Sequence, residues 1–177
     1  MSAIKLATPS SGSISLSPAN TASNLTITVP AVTGTMLTTA STFGATGPSF
    51  SAWQSSGQTL SSAVTTKINY QTELWDTNSN YDTSTSRFTP TVAGYYQINA
   101  AICTASTASQ QILAIYKNGS LYQRNDIPSI NINQISSVVY CNGSTDYIEI
   151  YASFGTGQNT FASVNLNWFN GALLRAA

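Results

Sequence analysis

The sequence predicts an all-β fold, an antiparallel sandwich of short strands, from three observations. Apolar and polar residues alternate along most strand-like runs. In the run from Tyr95 to Cys103, Tyr96, Ile98 and Ala100 point one way and Tyr95, Gln97 and Asn99 the other. That is the pattern of sheets with one packed and one wet face. The runs are short and separated by turn residues, with Asn118-Gly119 a strong two-residue hairpin signal and Asn142-Gly143 a further turn. Finally, aromatic residues and one glycine fall at regular places between Tyr70 and Tyr96.

Residues 1–46 differ from the rest. Ser, Thr, Ala, Gly and Pro dominate them, and Phe43 is their single aromatic residue. Ile4-Lys5-Leu6, Ile14-Ser15-Leu16 and Leu25-Thr26-Ile27-Thr28-Val29 alternate and are separated by Pro9, Pro18 and Pro30. Each run reads as a short strand that alone cannot offset an ordering entropy of about 1–2 kcal/mol per residue. The stretch is either a linker or, the reading favoured here, an arm ordered by pairing with copies of itself or with another protein.

Gly44 to Pro48 forms the hinge to a domain spanning 47–177. Strands are expected from Ser49 to Gln54, over Thr66–Thr72, and through Ser86-Arg87-Phe88, where Pro90 stops the ladder. Val92-Ala93-Gly94 turns the chain, and a strand restarts at Tyr95. Gln111–Lys117 and Leu121–Asn125 form a hairpin that Pro128 breaks; Ile130–Cys141, Thr145–Tyr151 and Ala162–Leu174 complete the set.

Two of these strands do not alternate. Ser137-Val138-Val139-Tyr140 is apolar on both faces, and so is Trp168-Phe169 within the closing run. A strand buried on both sides needs a layer outside its own core, which a partner subunit supplies most simply.

Composition excludes several functions. Charged residues make up 7% of the chain and the net charge is zero, so the clustered basic surface of a nucleic-acid binder is missing. The N-terminus has no apolar leader segment, and no run approaches the roughly 18 apolar residues that span a bilayer, so a soluble chain without membrane insertion or a conventional leader is expected. The chain has no histidine, so no Ser-His-Asp or Cys-His set can form. A carboxylate pair for sugar hydrolysis stays open, but none of the six acids lies in a recognisable motif; no enzyme and no cofactor is expected. Asp76 and Asp82 flank a run with Asn78 and Asn80 that offers oxygen ligands for calcium; the same residue types make turns without metal. Cys103 and Cys141 read as buried small hydrophobes, with a disulfide as the alternative. Sequons at Asn24, Asn118 and Asn142 read as turns or strands.

The intervals now carry a resemblance. Tyr70, five residues, Asp76, four, Tyr81, six, Phe88, five, Gly94, one, and Tyr96 resemble the signature of the C1q domain, the jelly-roll module shared with the tumour-necrosis-factor superfamily. Tyr70 stands where Phe is usual, and Ile98 and Ala100 where aromatics are usual. Phe50-Ser51-Ala52 resembles the family's first strand, Thr145–Tyr151 its Gly-Asp-x-Val-type strand, and Phe169-Asn170-Gly171-Ala172-Leu173-Leu174 its Phe-x-Gly-x-Leu-Leu ending. The resemblance implies a homotrimer whose inner sheet packs about a three-fold axis, with Val138, Tyr140, Trp168, Phe169 and Leu173 at the interface.

Residues 12–39 resemble a segment of phage tail-fibre and other virion proteins, with Asn24-Leu25-Thr26-Ile27-Thr28-Val29-Pro30 and Thr33-Gly34-Thr35-Met36-Leu37 as the matching core. This resemblance implies a structural protein on the outside of a phage particle, assembled in the host cytoplasm and docked to other virion proteins through residues 1–46. A short tail fibre, a fibre tip and a capsid decoration all satisfy it. A host-surface glycan would meet the loops Thr77–Ser86 or Phe154–Phe161. The rival reading is a free secreted C1q-type module, against which the missing leader and collagen repeat weigh.

Overall fold

The computed structural model describes residues 47–177. The expected arm, its strands and its docking role lie outside the described residues. The described chain contains strands and no helix. They are β1 (Ser49–Trp53), β2 (Thr59–Leu60), β3 (Thr66–Lys67), β4 (Thr72–Asp76), β5 (Tyr81–Asp82), β6 (Arg87–Phe88), β7 (Ala93–Lys117), β8 (Ser120–Asn142), β9 (Ile148–Phe154), β10 (Gln158–Asn159) and β11 (Trp168–Ala176). The main sheet is antiparallel throughout, in the order β4-β1-β11-β7-β9-β6-β5, with β8 on β7 and β3 on β9.

The hairpin of β7 and β8 joins the two layers. Its register runs from Ala93↔Asn142 to Lys117↔Ser120 and is interrupted between Cys103 and Ala108. There the hairpin folds over. The outer half of β7 pairs with β11 in the first layer, and its inner half, towards the Asn118-Gly119 turn, pairs with β9 in the second, while β8 follows β7 through both. The sequence pattern predicts four strands here; the structure has two bent ones. Pro128 does not end β8. Among the described residues β8 pairs only with β7, so a missing N–H on its outer edge costs no ladder bond, and the bend instead uses Ser129 at φ 48°. The closing run also differs from expectation. Residues 164–167 form a turn, and the strand starts only at Trp168.

The rings of the signature, Tyr70, Tyr81, Phe88 and Tyr96, lie in the core. Phe50 stacks on Tyr81 (centroids 4.8 Å, 9°) and on Phe88 (4.4 Å, 23°), and Phe88 meets Tyr96 edge-on. Buried tyrosines need hydroxyl partners. Tyr70 Oη donates to the Ala101 carbonyl (3.1 Å), Tyr81 Oη to the Tyr70 carbonyl (2.8 Å) and Tyr96 Oη to the Val92 carbonyl (2.6 Å). Burial pushes the Tyr96 phenol up to about 12. Gly171 lets β11 pass the Phe50 ring, since a Cβ there would stand 2.9 Å from its Cε1 and 2.8 Å from Ile98 Cδ1. At Gly94 a Cβ would strike the Arg175 carbonyl oxygen.

Both ends of the domain leave one pole. Leu173 N–H donates to the Pro48 carbonyl (3.0 Å), and Ala177 N–H donates to that of Ala93 (2.9 Å). The β7–β8 bend marks the opposite pole.

Candidate functional site

The outer face of the first layer is the candidate site. Alternation along each strand selects its residues, and pairing aligns them into rungs. Nearest the terminal pole, Tyr95 faces Tyr140 and Gln97 faces Val138. The next rung reads Ser136, Asn99, Asn170 and Ser51 across β8, β7, β11 and β1. The rung beyond it reads Gln134, Ala101, Trp168 and Trp53.

The first tier is apolar and open. Val138, Tyr140 and Tyr95 are 45%, 41% and 47% exposed, and the two tyrosine rings lie 5.4 Å apart. Tyr122 Oη donates to the Val138 carbonyl (3.0 Å), drawing the edge strand over the layer. Lys117 Nζ stands 5.6 Å from the Tyr140 ring centroid and pairs with Asp146 at 2.8 Å. The middle tier is a connected amide network of Gln97, Asn99, Ser136 and Asn170, with donor–acceptor distances of 2.7–3.1 Å. Trp168 bounds it on the far side, and a depression of about 210 Å³ opens between them, lined by Asn99, Gln134, Ile135, Ser136, Trp168 and Asn170. The face thus holds apolar ring area on either side of directional polar groups. Among the described residues, those that line the depression offer amide and hydroxyl groups and one indole ring, and none is ionisable.

The structure brings three of the five expected interface residues, Val138, Tyr140 and Trp168, onto this face. Phe169 is not among them. It is fully buried inside the sandwich, because the residue after outward-facing Trp168 must point inward. Leu173 also turns inward, packing against the core and over Gly47 and Gly94. Gln97, Asn99, Ser136 and Asn170 escaped the sequence reading as site residues, although alternation already put Gln97, Asn99 and Tyr95 on one face.

The remaining candidates form separate places. Asp76 accepts from the Tyr81 and Asn78 N–H groups (2.7 and 3.2 Å) and closes its own turn. Asp82 accepts from Ser84 and Thr85, which hold its carboxyl down at about 2. Among the described residues, no three Cys, Asp or Glu side chains converge as a metal site would need. Cys103 and Cys141 are buried free thiols. They pair with Ile132 and Gly94 at opposite ends of the first-layer half of the hairpin. That separation of nine residues along β7, roughly 30 Å, rules out a bond between them within one chain. The loops expected to meet a glycan sit at opposite poles. Thr77 bonds Ser49 at the terminal pole, while Gly155 bonds Gln110 beside the bend. Phe154 is buried, and Phe161 is exposed.

An all-β jelly-roll sandwich of this kind defines a class of domain, and solved structures share it. The chain is similar to the globular domain of zebrafish complement 1qA protein (14% identity, TM-score 0.57, 74% of this chain and 99% of that one). It is similar to murine APRIL (10% identity, TM-score 0.58, 72% and 98%) and to PRD1 vertex protein P5 (14% identity, TM-score 0.54, 75% and 100%). At these identities the likeness establishes the C1q and TNF-type jelly-roll fold. No family model matches the sequence, and no curated protein matches it.

Proposed function

We propose that the chain is a structural protein of a bacteriophage particle. In this reading it trimerises through the outer face of its first layer and is displayed on the virion by residues 1–46. The observation that carries the reading is that face: exposed Tyr95, Val138 and Tyr140 beside half-buried Trp168, on the layer that would line a three-fold axis. A Trp-sized side chain buries roughly 150–250 Å², so a few such groups per copy suffice for a stable contact. The fold likeness to a phage vertex protein supports the particle setting, as does the tail-fibre resemblance of residues 12–39.

The pole of the β7–β8 bend then faces away from the particle. Its exposed Phe161, Val164 and Leu166 are the side chains that would stack on a host-surface saccharide, in the role of a short fibre or fibre tip. In the role of a capsid decoration, residues 1–46 would lie on the lattice and stabilise it. The proposal involves no catalysis and no cofactor. Labelled antibody against residues 47–177, applied to intact particles, tests it. Label over the head means decoration, label at the tail means fibre, and unlabelled particles overturn the reading in favour of a free secreted module.

A further inference from the structure

The second layer has an outer face of its own, and alternation again selects what stands on it. Glu149, Tyr116 and Leu121 share one rung across β9, β7 and β8. The next rung reads Lys67, Tyr151, Ala114 and Arg124 across β3, β9, β7 and β8. Ala114 carries only a methyl group, so this rung is hollow between the Tyr151 ring and the Arg124 side chain. A depression of about 60 Å³ opens there, and its wall includes Tyr116, Leu121 and Ser153. The Tyr116 and Tyr151 rings lie 4.2 Å apart with their planes tilted by 35°, and Leu121 beside them is exposed.

Charge on this face is unbalanced. Glu149 is buried, and one oxygen of its carboxylate accepts from Arg87 Nη2 (3.0 Å), Arg87 Nε (3.2 Å) and Lys67 Nζ (3.4 Å), so one anion answers two cations. Its other oxygen accepts from Tyr151 Oη (3.4 Å), which ties the ring in place. Asp126, one rung further on, accepts from the Gln110 amide at 3.0 and 3.1 Å. Arg124 is exposed and, among the described residues, meets no carboxylate. Its guanidinium is a planar fork of N–H donors that matches a carboxylate two bonds at a time. The ring faces beside it carry π density, which attracts the positive C–H face of a pyranose. An extended peptide would need a free strand edge, but β7 and β9 beneath the depression are paired on both sides. We propose that this depression binds an acidic saccharide, with the sugar carboxylate on Arg124 and the sugar ring over Tyr116 and Tyr151. The depression admits the acid group and leaves the rest of the sugar lying across the rings. Lys67 and Arg87 neutralise Glu149 behind them, so it does not repel the ligand. The site goes beyond the particle reading and does not rest on it: it lies on the layer that makes no proposed contact between copies, and it uses none of Phe161, Val164 and Leu166.

The test titrates tetra-galacturonate and sialyllactose into the full-length chain by calorimetry at low salt, with the methyl ester of each as its neutral control. Saturable binding of an acidic probe is expected, weakened by added salt and lost with the ester. Arg124→Gln and Tyr151→Ala should each lower the affinity roughly tenfold or more, while Arg175→Gln, at another exposed cation, should leave it unchanged. Arg124 is exposed, so its variant should melt as wild type, which separates lost binding from lost folding. Neither acidic probe binding, esters binding as well as acids, or equal losses in Arg124→Gln and Arg175→Gln overturns the site. Binding that survives Arg124→Gln and disappears with Phe161→Ala moves the saccharide to the bend pole and overturns it too. Poly-glutamate bound in place of both sugars, with the same dependence on Arg124, assigns the depression to an acidic peptide and overturns the saccharide. None of these results alters where antibody labels the particle, so the two proposals fail separately.

Discussion

The ring of Phe169 stands edge-on to that of Phe50, with centroids 4.7 Å apart and planes at 85°. Trp168, its neighbour in sequence, belongs to the opposite side of the same sheet. On the association proposed above, the two positions separate stability from assembly. Phe169→Ala removes a fully buried ring and should cost about 3–5 kcal/mol, read as a lower urea midpoint with an unchanged slope. Trp168→Ala should shift that midpoint far less and instead weaken association, read by sedimentation.

Asn167 holds the turn before the closing strand. Its side chain reaches the Gln54 side chain (3.1 Å), the Phe161 carbonyl (2.6 Å), and the backbone N–H and carbonyl of Cys103. It is wholly buried, so Asn167→Leu leaves backbone and side-chain groups of three segments unpaired, at about 1–3 kcal/mol each. A drop in melting temperature exceeding that of Asn165→Leu, at an exposed position in the same turn, is the expected result.

Acid should loosen the turn around Asp146. The hydrogen bond from Lys117 holds this carboxyl below the usual range, helped by Asn118 Nδ2 (2.7 Å) and the Asn142 N–H (2.9 Å), against an opposing effect of burial. A folded-state pKa below the unfolded value of about 3.9 means the stabilisation is complete above that value. It is lost as pH falls through the folded pKa. Melting temperatures measured from pH 6 to pH 2 should therefore fall, and Asp146→Asn should flatten the curve while lowering its plateau. Asp82, held low by its bonds from Ser84 and Thr85, adds to the slope near pH 2.

Burial also silences the thiols. Cys141 is fully enclosed, and burial pushes its thiol up to about 11. At pH 8 neither Cys141 nor Cys103 should react with a water-soluble disulfide reagent until denaturant is added, when both titrate together. Fast labelling of the native chain would contradict this.

Gly94 is where β7, β8 and β11 crowd. Its Cβ position is blocked by backbone of Arg175 and Ala176, which cannot rotate away as a side chain could. Gly94→Ala should therefore destabilise far more than Gly157→Ala, whose nearest neighbour would be 3.5 Å away, as chemical denaturation of the two variants would show.

The sequence was most legible where physics is local. Ring spacing and alternation found the core, because Tyr70, Tyr81, Phe88 and Tyr96 must all point into one layer. Alternation failed at Trp168-Phe169, where both residues are apolar and hydrophobicity cannot tell inside from outside. It failed at Pro128 because whether a proline breaks a strand depends on which edge is free, a property of the assembled sheet. Val164 and Leu166 read as strand because nothing local announces that Asn167 pins the segment into a turn from across the sandwich. The polar ladder looked like ordinary wet surface, since Gln97, Asn99, Ser136 and Asn170 meet only when three strands pair.

The bend of the β7–β8 hairpin has a practical corollary. The described chain begins and ends at the far pole, and Ala105 to Thr107 form an exposed summit at this one. A foreign peptide spliced into that summit would stand clear of both ends of the described chain, turning the domain into a mount for cargo.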